Sequence, residues 1–402
     1  MSAIVAVHTA APVRRAITML MTIVFAVIFL DIPAFVYTQD DSILPRHWFA
    51  AIVAVTALPI ACVPARDIWH RSGAFVTWSV VASCLTWALG MLLTHSSDEV
   101  AATRALSLLF GAYLAVVCAL ASRDEMQRVI DIAFACAVAS LVAGFFLPER
   151  FGTGEIQGTV LARASAFWTN PNKAAEAVLL LCLLAFARSG PIRRMCLLIA
   201  AVAAILLTFS RGALLSWAVF VIIAAWLRMV PRAAVALPVL LLIALPLISS
   251  FFQSHVVGWL EIEAGAANVI DRIDGIVKLE LDDDSTSERL TALDHSTEAF
   301  VDAPILGAGI GWLEERHGIG AHNEFLLVAA EYGIAGLVLL FILFDLVWRG
   351  NLLDSSRAYR LLALAVVASL SMFTHNMLEF PYWLLALALL TSVRAHGGAE
   401  QR

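Results

Sequence analysis

A histidine and several arginines stand where apolar runs begin or end, and these residue types in that pattern could do acid–base and phosphate chemistry. His322 and Asn323 open "HNEFLLVAAEYGIAG", Arg211 interrupts "LLTFSRGALLSW", and Arg163 precedes an Asn-Pro-Asn turn in "ARASAFWTNPNK". Arg289 lies in "DDDSTSERLTALDHSTEAF". A guanidinium offers a permanently charged fork that matches phosphate oxygens. A neutral imidazole at a helix start, where the backbone dipole discourages protonation, can act as a base near neutral pH. An arginine inside an apolar stretch costs about 2.5 kcal/mol or more unless it is paired or faces water.

Each residue also has a plainer reading. Arg211 as an interfacial anchor, Arg289 as a solvated helix charge and His322 as a span-end residue all remain open when each is taken alone. Taken together, three arginines and a histidine on one side suit a phosphate-bearing substrate that resides in the membrane, for which a lipid-linked diphosphate is the natural candidate. Asn170, Asn172, Lys173, Asn323 and His375 are polar neighbours placed to help bind it. His375, Asn376 and Glu379 in "THNMLEFPYW" either line the same cavity or satisfy one another. The run Asp282, Asp283, Asp284 could bind a divalent cation, but a solvated acidic flank to a helix start is the better reading. "GAGIG" lacks the preceding strand of a dinucleotide fingerprint and is discounted.

The elements that position these groups must be membrane helices. Of 402 residues, 61% are hydrophobic and 14% charged, and the mean hydropathy is +0.86. A soluble globule would leave too much apolar surface in water. Apolar stretches near the ~20 residues needed to cross a bilayer recur, which selects helices over barrel strands. The expected class is an all-α polytopic integral membrane protein of about twelve spans. They run near Ala16–Phe35, Trp48–Val63, Ala74–Thr94, Ala105–Ala121, Val129–Leu147, Ala174–Ala187, Met195–Phe209, Ala213–Leu227, Ala233–Phe252, Phe325–Trp348, Leu361–Thr374 and Pro381–Val393. The seventh and eighth could be one mis-split run.

Three regions follow: nine spans over residues 1–252, an outer loop domain over 253–321, and three spans with a C-terminal tail over 322–402. One side of this arrangement collects 16 of the 26 Lys and Arg residues, so both termini are expected in the cytoplasm and the loop domain outside it. Short cytoplasmic connections leave no room for a nucleotide-binding domain. All six cysteines fall in expected spans and read as small core residues. A formal charge of −6 points to no nucleic-acid partner. In the outer domain, Ser285 and Glu288 have capping-box spacing, which predicts a helix over Thr286–Val301, ended by Pro304 and the glycines of "PILGAGIGW".

"APILGAGIGW" followed by "AHNEFLLVAAEYGIAGLVLL" resembles the signature of the O-antigen ligase superfamily, which includes O-antigen polymerases and bacterial protein O-oligosaccharyltransferases. "RASAFWTNPNKAAE" and "FSRGALLSW" resemble two further family blocks in the same order, so the resemblance spans Arg163 to Trp383. It implies a GT-C-like glycosyltransferase of the bacterial inner membrane with a periplasmic active site, no cofactor and no metal. Its substrates would be O-antigen on undecaprenyl diphosphate and the lipid A core, with membrane lipids around it. By resemblance, His322 matches the essential histidine and Arg211 and Arg289 the essential arginines, and Arg163 fits a further one. The rivals are a polymerase, a protein O-oligosaccharyltransferase and, from another class, a lipid or polysaccharide transporter.

Overall fold

The computed structural model describes residues 11–93, 96–151, 163–251, 284–374 and 376–393, and every regular element among them is helical. The first four helices are α1 (Ala11–Phe29), α2 (Ile32–Gln39), α3 (Pro45–Ala61) and α4 (Ala65–Leu92). Then come α5 (Asp98–Cys118), α6 (Arg123–Phe146), the single turn α7 (Pro148–Phe151) and α8 (Pro171–Phe186). They are followed by α9 (Pro191–Thr208), α10 (Arg211–Trp226) and α11 (Ala236–Phe251). The chain closes with α12 (Asp284–Asp302), α13 (Trp312–His317), α14 (Glu324–Arg349), α15 (Arg357–Ser371) and α16 (Pro381–Thr391).

Every expected span therefore has a helix, and the expected outer helix is α12. Five helices, α4, α5, α6, α9 and α14, are long and apolar enough to cross a membrane, and α1 with α2 makes a sixth if counted as one span bent by 60°. The bend is at Asp31, whose backbone is left-handed. The seventh and eighth expected spans are separate helices, because Phe209 takes a left-handed conformation at φ 50° and ends α9.

Sequence chemistry explains the helix ends. Pro45, Pro171, Pro191 and Pro381 occupy first-turn positions where a missing N–H costs nothing. Ser122 and Glu125 form a reciprocal capping box on α6. At the arginine-rich end, Arg71 donates to the carbonyls of Ala119 and Ala121, and Arg194 to those of Phe186 and Met229. Cations thus satisfy carbonyls that helix C-termini leave open.

Helices α8 and α16 are buried all round, including every residue from Ala174 to Phe186 and from Tyr382 to Leu390. A helix apolar on every face needs such an enclosure. The cysteines correct one expectation: Cys118 and Cys182 are core residues, but Cys62, Cys84, Cys136 and Cys196 are exposed. A bilayer accepts a small, weakly polar thiol on an outward face, so position within a span does not imply burial in the protein.

"APILGAGIG" folds as a strap against α14. At Gly333 the helix is interrupted by φ 62° and ψ −150°, a conformation open essentially to glycine. The freed groups pair with the strap: Ile334 N donates to the Pro304 carbonyl (2.8 Å), Ala335 N to Ile305 (3.3 Å), and Ala308 N to the Ala330 carbonyl (2.7 Å). A side chain at 333 would meet the Pro304 oxygen at 2.6 Å, and Gly307 lies as tightly against the backbone of Glu331 and Tyr332. Ser97 N donates to the Ile310 carbonyl (2.8 Å) and Ser96 Oγ accepts from Ile310 N (3.0 Å), fixing the strap to the start of α5 as well. Ala substitution at 307 or 333 combines strain of about 1–3 kcal/mol with lost hydrogen bonds. Both variants are expected to lower the unfolding temperature in detergent, whereas Gly190→Ala, where nothing lies within 4 Å and only a helix-cap preference is lost, is expected to lower it far less. Equal unfolding temperatures for all three would refute the strap's structural role.

Candidate active site

Three sequence blocks meet at the end of the bundle opposite the arginine-rich end. The first two are joined by backbone and side-chain bonds. Ala164 N donates to the Leu207 carbonyl (2.8 Å), Arg163 Nε to that of Thr208 (2.8 Å), and Arg163 Nη2 to Asn172 Oδ1 (3.0 Å). Arg163 is thereby tied to the turn at Phe209 and Ser210 that launches α10 with Arg211 as its first residue. Asn170 caps α8 by accepting from Asn172 N (2.8 Å). Lys173 reaches Thr169 Oγ1 (3.4 Å), and its ammonium stands 4.3 Å from the centre of the Phe380 ring.

The third block carries His322, which is held at φ 48° immediately before the cap of α14. Asn323 is that cap, its Oδ1 accepting from Phe325 N (3.0 Å) and Leu326 N (3.3 Å). Ala321 lies in a small buried cluster with Ala292 and Ala299 of α12, Trp312 and Leu313 of α13, and Leu327 and Ala330 of α14. Ala292 is one turn beyond Arg289, so this cluster sets the arginine-bearing helix against the head of α14.

The segment 373–383, "FTHNMLEFPYW", connects all of these. Phe373 packs on Gly212, beside Arg211, so closely that an added Cβ would lie 2.7 Å from its own. Thr374 Oγ1 (3.0 Å), Tyr382 Oη (3.1 Å) and Trp383 Nε1 (3.1 Å) all donate to Glu176 Oε2 inside the bundle. Met377 N donates to Glu324 Oε2 (2.9 Å), two residues from His322. Glu379 accepts from Arg104 Nε (2.7 Å).

Arg104 is 3% exposed. It also pairs with Glu331 and donates to Tyr332 Oη (3.3 Å), which is 3.1 Å from Thr86 Oγ1. Glu331 uses its other oxygen to accept from Gly311 N of the strap (2.9 Å). Beside this network is a polar cavity of about 130 Å³, lined by Arg104, Glu331, Asn376 and the loop from Gly318 to Ala321. That volume suits a few waters or one small polar group and is well below the ~300 Å³ at which ligand pockets begin.

The structure thus brings Arg163, Asn172, Lys173, Arg211, His322 and Asn323 to one end and spends Asn170 and Asn323 as caps. His375, Asp282 and Asp283 lie outside the described residues, as does the outer loop from 252 to 283. Of the cluster at 375–379, Glu379 is an ion-pair partner of Arg104 and Asn376 lines the cavity. Among the described residues, no group of three or more potential metal ligands assembles. The residues that sequence reasoning missed are Arg104, Glu176, Glu324 and Glu331. Their signal was present: a carboxylate inside an apolar helix is costly unless paired, and Glu324 and Glu331 are seven residues apart on one face of α14.

These features define an all-helical, polytopic membrane protein with a polar site at one end of the bundle. Residues 196–341 match the family model described as O-antigen ligase, which bears out the family resemblance; the Arg163 block lies outside the matched stretch. The matched stretch runs from α9 into α14 and includes Arg211, Arg289 and His322. No curated protein matches the chain.

Removing one partner of a buried ion pair strands the others, at a cost of about 3–5 kcal/mol. Arg104→Ala is therefore expected to unfold at markedly lower temperature, with much of the loss recovered when Glu331→Gln and Glu379→Gln are added to Arg104→Met. No recovery would mean that Arg104 contributes through packing alone. A second expectation concerns His317, which stacks on His295 with ring centres 3.8 Å apart and an interplanar angle of 17°. Burial, then the neighbouring His295 and Arg316, push His317 below its ordinary value of 6.5. The folded state accordingly favours the neutral ring, so this contact contributes above pH 6.5 and loses its contribution on acidification. Between pH 7.5 and 5, the wild type should lose more thermal stability than His317→Gln; parallel losses would remove His317 as the titrating group.

Proposed function

We propose that the protein is an O-antigen ligase: it transfers O-antigen polysaccharide from undecaprenyl diphosphate to the lipid A core at the periplasmic face of the bacterial inner membrane. In this reading all twelve apolar helices cross the bilayer and both termini are cytoplasmic. The observation that carries the proposal is the convergence of the three motif blocks on segment 373–383, together with a family match that contains Arg211, Arg289 and His322.

The chemistry follows from the residue types. The acceptor hydroxyl attacks the anomeric carbon and gives its proton to the His322 imidazole. The new glycosidic C–O bond forms as the bond from the anomeric carbon to the diphosphate oxygen breaks, and undecaprenyl diphosphate departs with the electron pair. Attack opposite the leaving group inverts the anomeric centre. Arg211 and Arg289, with Arg163 and Lys173 nearby in the same face, stabilise the charge that grows on the diphosphate. Fixed guanidinium groups carry that charge, so the reaction is expected to proceed without a metal ion.

Asn172 has a positioning role in this scheme, because its carboxamide oxygen holds the Arg163 guanidinium. The polar cavity beside Ala321 is too small for a sugar chain and suits water that carries the His322 proton away. The second reading, an O-antigen polymerase, uses the same donor and differs only in transferring to another carrier-linked glycan. It is kept because the family resemblance includes both activities.

The test is a transfer assay with purified protein, carrier-linked O-antigen and lipid A core, with a chelator present. Ladder-modified core is expected from the wild type, at a rate the chelator leaves unchanged. His322→Ala should reduce turnover by about 10²–10⁴-fold while the protein remains folded. Arg211→Ala and Arg289→Ala should each lower kcat by about 10²–10³-fold, as loss of a transition-state donor does. Lengthening of the carrier-linked glycan with no modified core would establish the polymerase instead. A folded wild type giving neither product, but moving carrier lipid between leaflets, would replace transfer by transport.

A further inference from the structure

Helix α12 carries three distinct faces, and only one of them is accounted for by the site. Ala292, Ser296 and Ala299, spaced by four and three residues, are buried and set the helix against the head of α14. Asp294, Glu298 and Asp302, spaced by four, form a charged face that is exposed. On the other side of the packing face, Leu290, Leu293 and Val301 are also exposed, with Val301 at 69%. At ~100° per residue these three fall on a single arc, with Thr297 between them and Phe300 at its edge.

This apolar arc does not end with the helix. Ile305 and Leu306 of the strap continue it, with Ile305 at 70% exposure. The strap's bonds to α14 place Ile305 beside Ile334 and Ala335. Ile334, Val338 and Phe341 then run on down the outward face of α14, a membrane-spanning helix. The exposed apolar surface is therefore continuous from the lipid-facing side of a span, across the strap, onto one side of α12. Glu298 and Asp302 point away from it, and Asp294, seven residues from Val301, marks its edge.

We propose that α12 is a membrane-surface helix, whose Leu290–Leu293–Val301 side is seated in the lipid leaflet surrounding α14 while its acidic side faces water. The occupant of the apolar arc is lipid, because the arc extends a surface that lipid already covers. An amphipathic helix with this division lies in the plane of the interface, with its apolar face near the boundary between headgroups and acyl chains. The irregular strap beside it can sit at that depth because the Gly333 break answers its backbone groups. One consequence rests on the proposed function: Arg289 lies between the packing face and the apolar arc, which sets its guanidinium at headgroup level, where a lipid-linked diphosphate resides.

The test reads membrane depth directly and needs no turnover, so its failure is distinct from failure of the transferase reading. The four exposed cysteines, Cys62, Cys84, Cys136 and Cys196, are replaced by alanine, leaving the buried Cys118 and Cys182 in place. Single nitroxide labels are then attached through Leu290→Cys, Leu293→Cys, Val301→Cys, Glu298→Cys and Asp302→Cys. The full chain is reconstituted in nanodiscs of phosphatidylethanolamine and phosphatidylglycerol.

Oxygen, which concentrates in lipid, should collide with labels at 290, 293 and 301 several-fold more often than a water-soluble nickel chelate does, and the order should reverse at 298 and 302. Equal access of the nickel chelate to both sets would overturn the proposal, since α12 would then be surrounded by water. Labels at 290, 293 and 301 that neither reagent reaches would overturn it too, showing that a second copy of the chain or another protein covers the arc.

Discussion

A charge or an open backbone group inside a bilayer has no water to turn to, so its partner must come from the protein. Arg104 shows the force of this constraint. Its guanidinium, carried within α5, is answered by Glu331 from α14, Glu379 from the 373–383 segment and the Tyr332 hydroxyl. Glu331 in turn accepts from the strap at Gly311. Four stretches of chain far apart in sequence are fixed relative to one another because one arginine cannot be left alone.

The same constraint explains where irregular backbone occurs. The strap at 303–311 and the break at Gly333 interrupt helical structure and are bonded to each other, and the segment around 376–380 is bonded to Glu324 and Arg104. Such segments are tolerated at membrane depth when the protein answers their backbone groups: the strap bonds to α14 at its break, and Asn376 of the third segment lines the polar cavity. The enclosed helices α8 and α16 supply the rigid interior against which this is built, with Glu176 bonded by three donors. Side chains mounted at the rim of that interior, Arg163, Lys173, Arg211 and His322, inherit its rigidity. Rigid mounting is what a catalytic constellation needs, since sub-ångström placement governs rate.

Much of this was legible in the sequence for physical reasons. Long apolar runs can only be helices in lipid, so each expected span has its helix, and Pro304 with the glycines after it ended α12 as expected. The ordered blocks around Arg163, Arg211 and His322 were visible because polar residues are rare in such a chain. Three-dimensional partnership was not legible. Nothing in "LEFPYW" says that Glu379 meets Arg104, more than two hundred residues earlier, or that Glu331 does so from within an apolar helix. "GAGIG" read only as the glycines that end α12; its role as the complement of a helix break needs the left-handed Gly333, which looks like any other helical glycine in one dimension. The cysteines misled because a span has two kinds of surface, one facing protein and one facing lipid, and the apolar pattern does not separate them.

Backbone strain gives an independent pointer to the same place. Among the described residues, six other than glycine adopt positive φ, and four of them lie at the site: Ala166 in the Arg163 block, Phe209 two residues before Arg211, His322 itself, and Asn376 at the cavity. Such conformations cost of order 1 kcal/mol or more each and persist only where surrounding bonds over-determine them. Here the bonds can be named: Ala164 to Leu207 before the first two, Asn323 with Phe325 and Leu326 after His322, and Met377 with Glu324 after Asn376. A bundle selected for stability alone would relax these positions, since Phe209 and His322 flank helix ends and Ala166 and Asn376 lie in connecting turns, where a residue or two of slack would remove the strain. That the strain is kept at the four turns presenting the arginines, the histidine and the polar cavity ties the geometry of those turns to what they present.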